Sequence, residues 1–236
     1  GSVLELQDFV RLYDGSWLNN VLIEFILLIK IKNSLIIPCD MFTVNFDNEI
    51  NTNSPILDFN FFDSPYTFFI YNANRNHFCL FIINNANKSL SFYDPLNDDT
   101  DFVKGNLKKF RTFLQKVCYL TNISMPDYLE DLKIERRQQN DGYNCGVYVL
   151  EHMIRTDALS NFCSTFSPST YRKDLMNDIL NSSENMKDVC LYCSKEDSII
   201  DNKWVACERC GRWKHQSCTL KKFNDGVWEQ VDFFAC

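Results

Sequence analysis

Cys145 is the cysteine whose surroundings in the sequence favour nucleophilic chemistry. It follows the turn-forming run Asn140–Tyr143 and opens an apolar helix predicted over residues 144–155. The positive end of a helix dipole favours a thiolate over a thiol. The side-chain amide of Gln138 or Gln139, shortly before this cysteine, can donate a hydrogen bond to an oxyanion. Together these features predict a cysteine nucleophile at a helix start.

His77 and Asp94 are the residues that can activate this cysteine. A nucleophilic thiolate needs an imidazole beside it and a carboxylate or amide that orients the imidazole. His152 lies two helical turns beyond Cys145 on the same predicted helix, which is too far for a hydrogen bond. His77 begins an aromatic and β-branched run, and Asp94 ends the neighbouring run. If the two runs form a hairpin, His77 and Asp94 lie near the same end of it, as a base and its orienter should.

Helices and short strands are predicted around these residues. Apolar periodicity predicts helices over residues 17–31, 101–120 and 144–155 and strands over residues 35–37, 66–71, 78–83, 90–93 and 132–136. The first of these helices is expected to be largely buried. The asparagine-rich connection 84–89 is typical of a hairpin turn. This order of elements predicts the α+β class with a central mixed or antiparallel sheet.

The composition excludes several classes of protein. Hydrophobic residues make up 45% of the 236 residues and aromatic residues 14%, so the chain can bury a sizeable core and is not disordered. A net charge of -7 argues against general nucleic-acid binding, which needs clustered Lys and Arg. Charged residues interrupt the longest apolar stretch, residues 21–37, so no membrane span is expected. No secretory signal is visible, and we expect an intracellular protein.

Three short stretches of the sequence, residues 17–20, 77–78 and 139–146, resemble motifs of the Ulp/SENP-type cysteine proteases, which cleave ubiquitin-like modifiers, chiefly SUMO. Trp17–Asn20 resembles the WLND motif of that family, and His77–Phe78 stands where the family has HW. Asp94 follows at a similar spacing, and Gln139–Gly146 matches the family's Gln…Cys-Gly block. The resemblance covers about residues 11–180. It implies the papain-like cysteine protease fold of the Ulp type, with a central mixed sheet flanked by helices.

The resemblance implies a catalytic role for four of these residues. Cys145 would be the nucleophile, and His77 the general base and acid. Asp94 would orient His77. Gln139 would donate a hydrogen bond to the oxyanion, together with the backbone N–H of Cys145.

The resemblance also implies a substrate. Trp17 and Phe78 would form the walls of a tunnel so narrow that only a Gly-Gly tail passes, so cleavage would follow a C-terminal diglycine. Phe78 replaces a usual Trp, and Asn20 and Asn144 replace usual Asp residues, which loosens the assignment of the modifier. SUMO is favoured. The alternatives are a deneddylase or deubiquitinase, a mobile-element or viral processing protease, and an inactive modifier-binding adaptor.

A second pattern that could carry chemistry lies near the C-terminus. Two C-x-x-C pairs, a histidine and two further cysteines follow one another at metal-ligand spacing: Cys190, Cys193, Cys207, Cys210, His215, Cys218 and Cys236. Paired thiolates three residues apart fold around one tetrahedral ion, so this set predicts two structural zinc sites. We therefore divide the chain into domains of residues 1–183 and 184–236, joined by a polar run near residues 181–185.

The segment 204–218 resembles a PHD finger, which implies a cross-braced zinc-binding module. One zinc ion would be held by Cys190, Cys193, His215 and Cys218. The other would be held by Cys207, Cys210, Cys236 and one more cysteine, which we expect two residues beyond Cys236. The module would target the protease, and we expect a nuclear location.

Trp204 and Trp213 are the candidate peptide-binding residues of this module. They correspond to aromatic positions that enclose methyl-lysine in some PHD fingers, where cation–π attraction needs such faces. Val189 lies where some methyl-lysine readers have a further aromatic residue. A histone tail, another unmodified peptide and docking onto the protease domain therefore all remain open as roles for the module.

Overall fold

A mixed sheet organises the part of the chain that the structure describes. The computed structural model describes residues 4–48, 50–96, 100–126, 130–131, 139–160, 166–182, 204–206 and 213–215. The helices are α1 (Leu6–Phe9), α2 (Asn20–Lys30), α3 (Cys39–Asp47), α4 (Thr100–Thr121), α5 (Cys145–Asp157) and α6 (Pro168–Ser182), with 3-10 turns at Val10–Leu12 and Pro55–Asp58. The strands are β1 (Leu35–Ile37), β2 (Tyr66–Ala73), β3 (His77–Asn84), β4 (Ser89–Tyr93), β5 (Glu130–Asp131), β6 (Trp204–Ala206) and β7 (Trp213–His215).

The first five strands form one sheet in the order β1-β2-β3-β4-β5. The central strands β2, β3 and β4 are antiparallel neighbours, whereas β1 and β5 pair in parallel with β2 and β4 at the two edges. The prediction of a central mixed sheet is therefore confirmed. Strands β6 and β7 form a separate antiparallel ribbon within the predicted zinc module.

Side chains alternate across the sheet and create two hydrophobic cores. On β3, Phe78, Leu80 and Ile82 pack with helices α2, α5 and α6, while Cys79, Phe81 and Ile83 pack with helices α3 and α4. A strand sends successive side chains to opposite faces, so a strand that is covered on both sides is apolar at nearly every position. This is why 78–83 is a continuous apolar run.

A tight turn between β2 and β3 places His77. Asn74 and Arg75 both have positive φ, 52° and 60°, which is the left-handed conformation that this turn requires. Ala73 pairs with His77 directly across the turn. Because the hairpin closes here, His77 stands at the first position of β3, as the sequence predicted.

Most predicted elements match the observed ones to within about two residues, but the first helix does not. It begins at Asn20 rather than at residue 17, because the side chain of Asn19 caps it by accepting a hydrogen bond from the backbone N–H of Leu22 at 3.0 Å. Trp17 therefore precedes the helix and is 48% exposed. Leu28 is 64% exposed, so the prediction of a largely buried helix is wrong on that side.

Further elements differ from the sequence predictions. Helices α1 (Leu6–Phe9), α3 (Cys39–Asp47) and α6 (Pro168–Ser182) were not predicted. The strand predicted over residues 132–136 lies outside the described residues, so it stays a prediction. The neighbouring residues Glu130–Asp131 form a two-residue strand. None of the helices in the described part of the chain is long and apolar enough to cross a membrane.

Candidate active site

The hairpin of β3 and β4 brings His77 and Asp94 together. Nε2 of His77 lies 2.7 Å from Oδ1 of Asp94, and only 2% of the Asp94 side chain is exposed. The same carboxylate oxygen accepts a hydrogen bond from the backbone N–H of Leu96 at 2.9 Å. The prediction that these two residues lie at one end of a hairpin is confirmed, and a buried carboxylate in this position fixes the orientation of the imidazole.

The surroundings of His77 favour its protonated form. Burial is the strongest single influence on the pKa of His77 and lowers it, but the hydrogen bond with Asp94 and the nearby thiols of Cys145 and Cys79 together outweigh burial. The pKa therefore lies well above its ordinary value of 6.5. An imidazolium at neutral pH is the partner that a cysteine thiolate needs. The thiol of Cys145 lies close enough to raise the pKa of the imidazole that Asp94 orients, while His77 Nδ1 is buried without a hydrogen-bond partner among the described residues.

Cys145 is the first residue of α5 and is 6% exposed. The carbonyl oxygen of Asn144 accepts the first hydrogen bonds of the helix, from the backbone N–H groups of Val147 and Tyr148. The N–H groups of the first helical turn have no partner inside a helix, so they can stabilise negative charge at Cys145.

The thiols of Cys39 and Cys79 lie in a different environment from that of Cys145. Burial raises the pKa of Cys39 to about 12 and the pKa of Cys79 to about 11. Both thiols therefore keep their protons at neutral pH. Among the described cysteines, Cys145 is the one that lines a pocket, which favours it as the nucleophile.

Gln139 lies beside the hairpin end that carries Asp94. Its backbone N–H donates a hydrogen bond to the carbonyl of Pro95 at 2.8 Å, which ties the segment before Cys145 to the end of β4. Its side-chain Nε2 donates to the backbone carbonyl of Asp141, and the residue is only 6% exposed. The structure thus fixes Gln139 near the site, with both hydrogen bonds of its amide nitrogen made to Asp141. An oxyanion would take the place of one of these acceptors, and the role of Gln139 as an oxyanion donor stays a prediction. Gln138 lies outside the described residues.

Asp141 holds the turn between Gln139 and Cys145, a role that the sequence analysis missed. Its Oδ1 accepts hydrogen bonds from Gln139 Nε2 at 3.1 Å and from the backbone N–H of Asn144 at 2.9 Å, and its Oδ2 accepts from Asn144 Nδ2 at 2.8 Å. Burial raises the pKa of Asp141, but these hydrogen bonds outweigh it and hold the pKa below its ordinary value of 3.8. The carboxylate therefore stays charged and keeps the turn in one conformation.

Trp17 and Phe78 line the same pocket as Cys145. The cavity is about 320 Å³, which is small for a ligand site. A Cβ atom at Gly146 would lie 3.2–3.3 Å from side-chain atoms of Ile23, Leu18 and Phe78, so the helix start presses closely against this wall. Both aromatic residues that the sequence singled out are thus placed at the pocket. Arg11, Arg75 and Asp40 also line it.

Cys79 lies beside the site, whereas His152 lies apart from it. Cys79 lies two residues after His77, and its sulfur is within 4.8 Å of ligand-type atoms of His77 and Asp94. Residues two apart on a strand have their side chains on the same face, and this spacing was the signal in the sequence for the contact. His152 instead stacks on Tyr93, with ring centroids 4.5 Å apart, as expected for a residue excluded from the active site.

The structure describes little of the predicted zinc module. His215 lies in β7 and is 1% exposed, and its ring packs against that of Trp204, with centroids 4.2 Å apart. The six predicted cysteine ligands lie outside the described residues: Cys190, Cys193, Cys207, Cys210, Cys218 and Cys236. The zinc sites and the peptide-binding roles of Trp204 and Trp213 therefore stay predictions.

Comparison with protein families gives one match. Residues 45–166 match the model of the Ulp1 protease family, C-terminal catalytic domain. This range, which is just over half of the chain, contains all four predicted catalytic residues: His77, Asp94, Gln139 and Cys145. No curated protein sequence matches the chain.

Comparison with solved structures shows the same fold. SUMO protease Ulp1 with its catalytic cysteine oxidised to a sulfinic acid aligns with a TM-score of 0.64 and 17% identity, over 77% of this chain and 85% of that one. The C-terminal Ulp1 protease domain in complex with Smt3, the yeast ortholog of SUMO, aligns with 0.61 and 18%, over 75% and 81%. The Ulp1-like SUMO protease catalytic domain of Chaetomium thermophilum aligns with 0.56 and 14%, over 76% and 84%. At these identities the likeness shows the fold.

Proposed function

Because this chain belongs to the Ulp1 protease family and is therefore a cysteine protease, we propose that it cleaves the bond after the C-terminal Gly-Gly of a ubiquitin-like modifier. The observation that carries this proposal is the pocket that joins Cys145 to Trp17 and Phe78, next to the His77–Asp94 pair. Aromatic walls this close to a nucleophile favour a substrate without side chains at the cleavage site.

The reaction follows from the positions of these groups. The thiolate of Cys145 attacks the carbonyl carbon of the last glycine, and the oxyanion receives hydrogen bonds from the Cys145 N–H and from Gln139. The C–N bond then breaks, and the imidazolium of His77 gives its proton to the leaving amine. A water molecule attacks the thioester and passes one proton to His77, and the C–S bond breaks to restore the thiolate. The glycine carboxylic acid that forms loses its remaining proton to solvent as it leaves.

SUMO is the modifier that we favour. The solved structures with this fold include a Ulp1 protease domain in complex with the yeast ortholog of SUMO. The charged residues that line the pocket are Arg11, Arg75 and Asp40, so this part of an otherwise acidic chain carries a net positive charge, which favours an acidic modifier.

A panel of fluorogenic modifiers tests the proposal. SUMO, ubiquitin and a Nedd-type modifier, each carrying aminomethylcoumarin on its C-terminal glycine, are incubated with the full chain. We expect release of coumarin from the SUMO substrate, and no release by Cys145→Ala. Faster cleavage of ubiquitin or the Nedd-type modifier would reassign the substrate. Cleavage of none would favour a modifier-binding adaptor or a precursor-processing protease.

We also propose that residues 184–236 form a zinc module that targets the protease. The ligand spacing supports this, as does the ribbon in which buried His215 pairs with Trp204. Trp204 and Trp213 would offer aromatic faces to a peptide such as a histone tail, and the chain would act in the nucleus. A histone-peptide array, run with the wild type and with Trp204→Ala, tests whether the module binds a peptide. Imaging of a tagged chain tests whether the protein acts in the nucleus.

Metal content gives a direct test of the zinc module. Because thiolate and imidazole ligands favour zinc, we expect two zinc ions per chain by elemental analysis, released when a mercurial reagent blocks the thiols. Cys118→Ala, which removes a cysteine outside the module, is the matched control and should leave the zinc content unchanged. A chain that folds and holds no zinc would contradict the proposal.

A further inference from the structure

Arg172 is a buried arginine beside the active site that the sequence analysis did not single out. It lies on α6 (Pro168–Ser182) and is 1% exposed. Its guanidinium makes five hydrogen bonds, which equals the number of N–H groups that a guanidinium has. The acceptors are Asn144 Oδ1 at 2.8 Å and the backbone carbonyl oxygens of Arg11 at 2.8 Å, Tyr13 at 3.3 Å, Ser16 at 2.7 Å and Tyr143 at 3.4 Å.

All five acceptors are uncharged, so these bonds differ from an ordinary ion pair. A buried charge costs stability unless each of its donors finds a partner. The carboxylates of Asp14 and Asp141 also act on the guanidinium and favour its charged form. Burial lowers the pKa of Arg172, as expected for a guanidinium that is removed from water. A side chain of this kind holds backbone carbonyls in fixed places, and the carbonyls that it holds come from two separate segments.

These two segments form opposite parts of the active site. The carbonyls of residues 11, 13 and 16 lie immediately before Trp17, which lines the pocket. The groups of Tyr143 and Asn144 lie immediately before Cys145. One side chain therefore sets the distance between a wall of the pocket and the start of α5.

The connection continues from Arg172 to the predicted oxyanion donor. Asn144 accepts from Arg172 through Oδ1 and donates to Asp141 through Nδ2 at 2.8 Å. Asp141 in turn accepts from Gln139 Nε2 at 3.1 Å. A continuous line of hydrogen bonds thus joins four side chains, those of Arg172, Asn144, Asp141 and Gln139. One of them, Asn144, is the residue immediately before the nucleophile.

We propose that Arg172 is a positioning residue for catalysis: it acts through Asn144 and Asp141 to hold Gln139 and Cys145 in their reactive places. Lysine in its place would keep the charge but offers three donors on one nitrogen, which cannot span two segments. This proposal rests on the proposed function for its substrate, and the two are tested separately.

A double-mutant cycle tests the proposal in the full chain, with the fluorogenic SUMO substrate. We expect Gln139→Ala to lower kcat by about a hundredfold, the scale of a lost oxyanion donor, and Arg172→Lys to lower it by roughly tenfold or more. If Arg172 acts by placing Gln139, the double variant falls within about threefold of Gln139→Ala alone. A purely structural role predicts that the two effects multiply, and that result, or full activity of Arg172→Lys, would overturn the proposal.

Further variants separate positioning from folding. Asp178→Asn, which removes an ion pair between α6 and Lys30 of α2, is the control and should keep the wild-type kcat. If Arg172→Lys does not fold, Asn144→Ala replaces it in the same cycle, because it breaks the line and keeps the four carbonyl contacts.

Hydrogen exchange gives a reading that needs no substrate. Arg172→Lys should speed amide exchange in both residues 11–18 and residues 139–146, with α4 unchanged, and unchanged exchange in both segments would overturn the proposal. Wild-type turnover of SUMO reports on the proposed function, whereas the cycle and the exchange report on Arg172.

Discussion

At the scale of single residues, the chemistry depends on how His77 is held. Its pKa is raised because Asp94, buried to 2% exposure, accepts a hydrogen bond from the ring at 2.7 Å. A group whose pKa is raised keeps its charge until the pH exceeds that raised value. The imidazolium that protonates the leaving amine should therefore persist into alkaline solution.

Asp94→Asn should move the alkaline limit of activity to lower pH. The amide removes the negative charge that raises the pKa of His77, so the imidazolium is lost at a lower pH. We also expect kcat to fall by roughly a hundredfold or more, since the imidazole loses its orienting partner. Profiles of kcat and of kcat/KM from pH 6 to 10 measure both effects. The wild type should show no alkaline limit in this range, because the pKa of His77 is raised to about 12, whereas Asp94→Asn should show one.

Asp47→Asn is the matched control for this profile. Asp47 is a carboxylate of α3 that pairs with Lys109 on the surface, so its loss should leave the profile unchanged. An alkaline limit that stays in place in Asp94→Asn would contradict the assignment of Asp94 as the residue that raises the pKa of His77.

At the scale of elements, the sequence predicted the helices and strands with a regular apolar pattern and missed features that no such pattern marks. The central strands were located because aromatic and β-branched residues fill them, and α5 because its apolar face recurs at helical spacing. The start of α2 was missed because a single cap at Asn19 sets it. Helix α3 was missed because its nine residues mix polar and apolar side chains without a clear period.

The contacts of the candidate site were likewise predicted only in part. The pair of His77 and Asp94 follows from a hairpin, which is local in the sequence. The line from Arg172 to Gln139 crosses 33 positions of the chain, and the bond from Arg172 to Arg11 crosses 161. Such contacts depend on how helix α6 packs on the rest of the fold, so no spacing in the sequence could have indicated them.

At the scale of the whole molecule, the two-faced sheet is the frame of the site. Its central strands are covered on both sides by helices, and the aromatic core on one side packs Phe81 against Phe110 with ring centroids 4.4 Å apart. The end of the central strands at the β2–β3 turn carries His77, and the helix that begins with Cys145 packs on the same sheet. Membership of the Ulp1 protease family explains why this frame and these residues come together.

The central claim is that Cys145, activated by His77, attacks the carbonyl carbon of the last glycine of a diglycine tail. A SUMO probe whose C-terminal glycine is replaced by propargylamine should form a covalent adduct with the full chain, and peptide mapping by mass spectrometry should find the modification on Cys145. Cys79→Ala should still be labelled, because that buried thiol is protonated and lies outside the proposed reaction. An adduct on another cysteine, or labelling that survives Cys145→Ala, would contradict the claim.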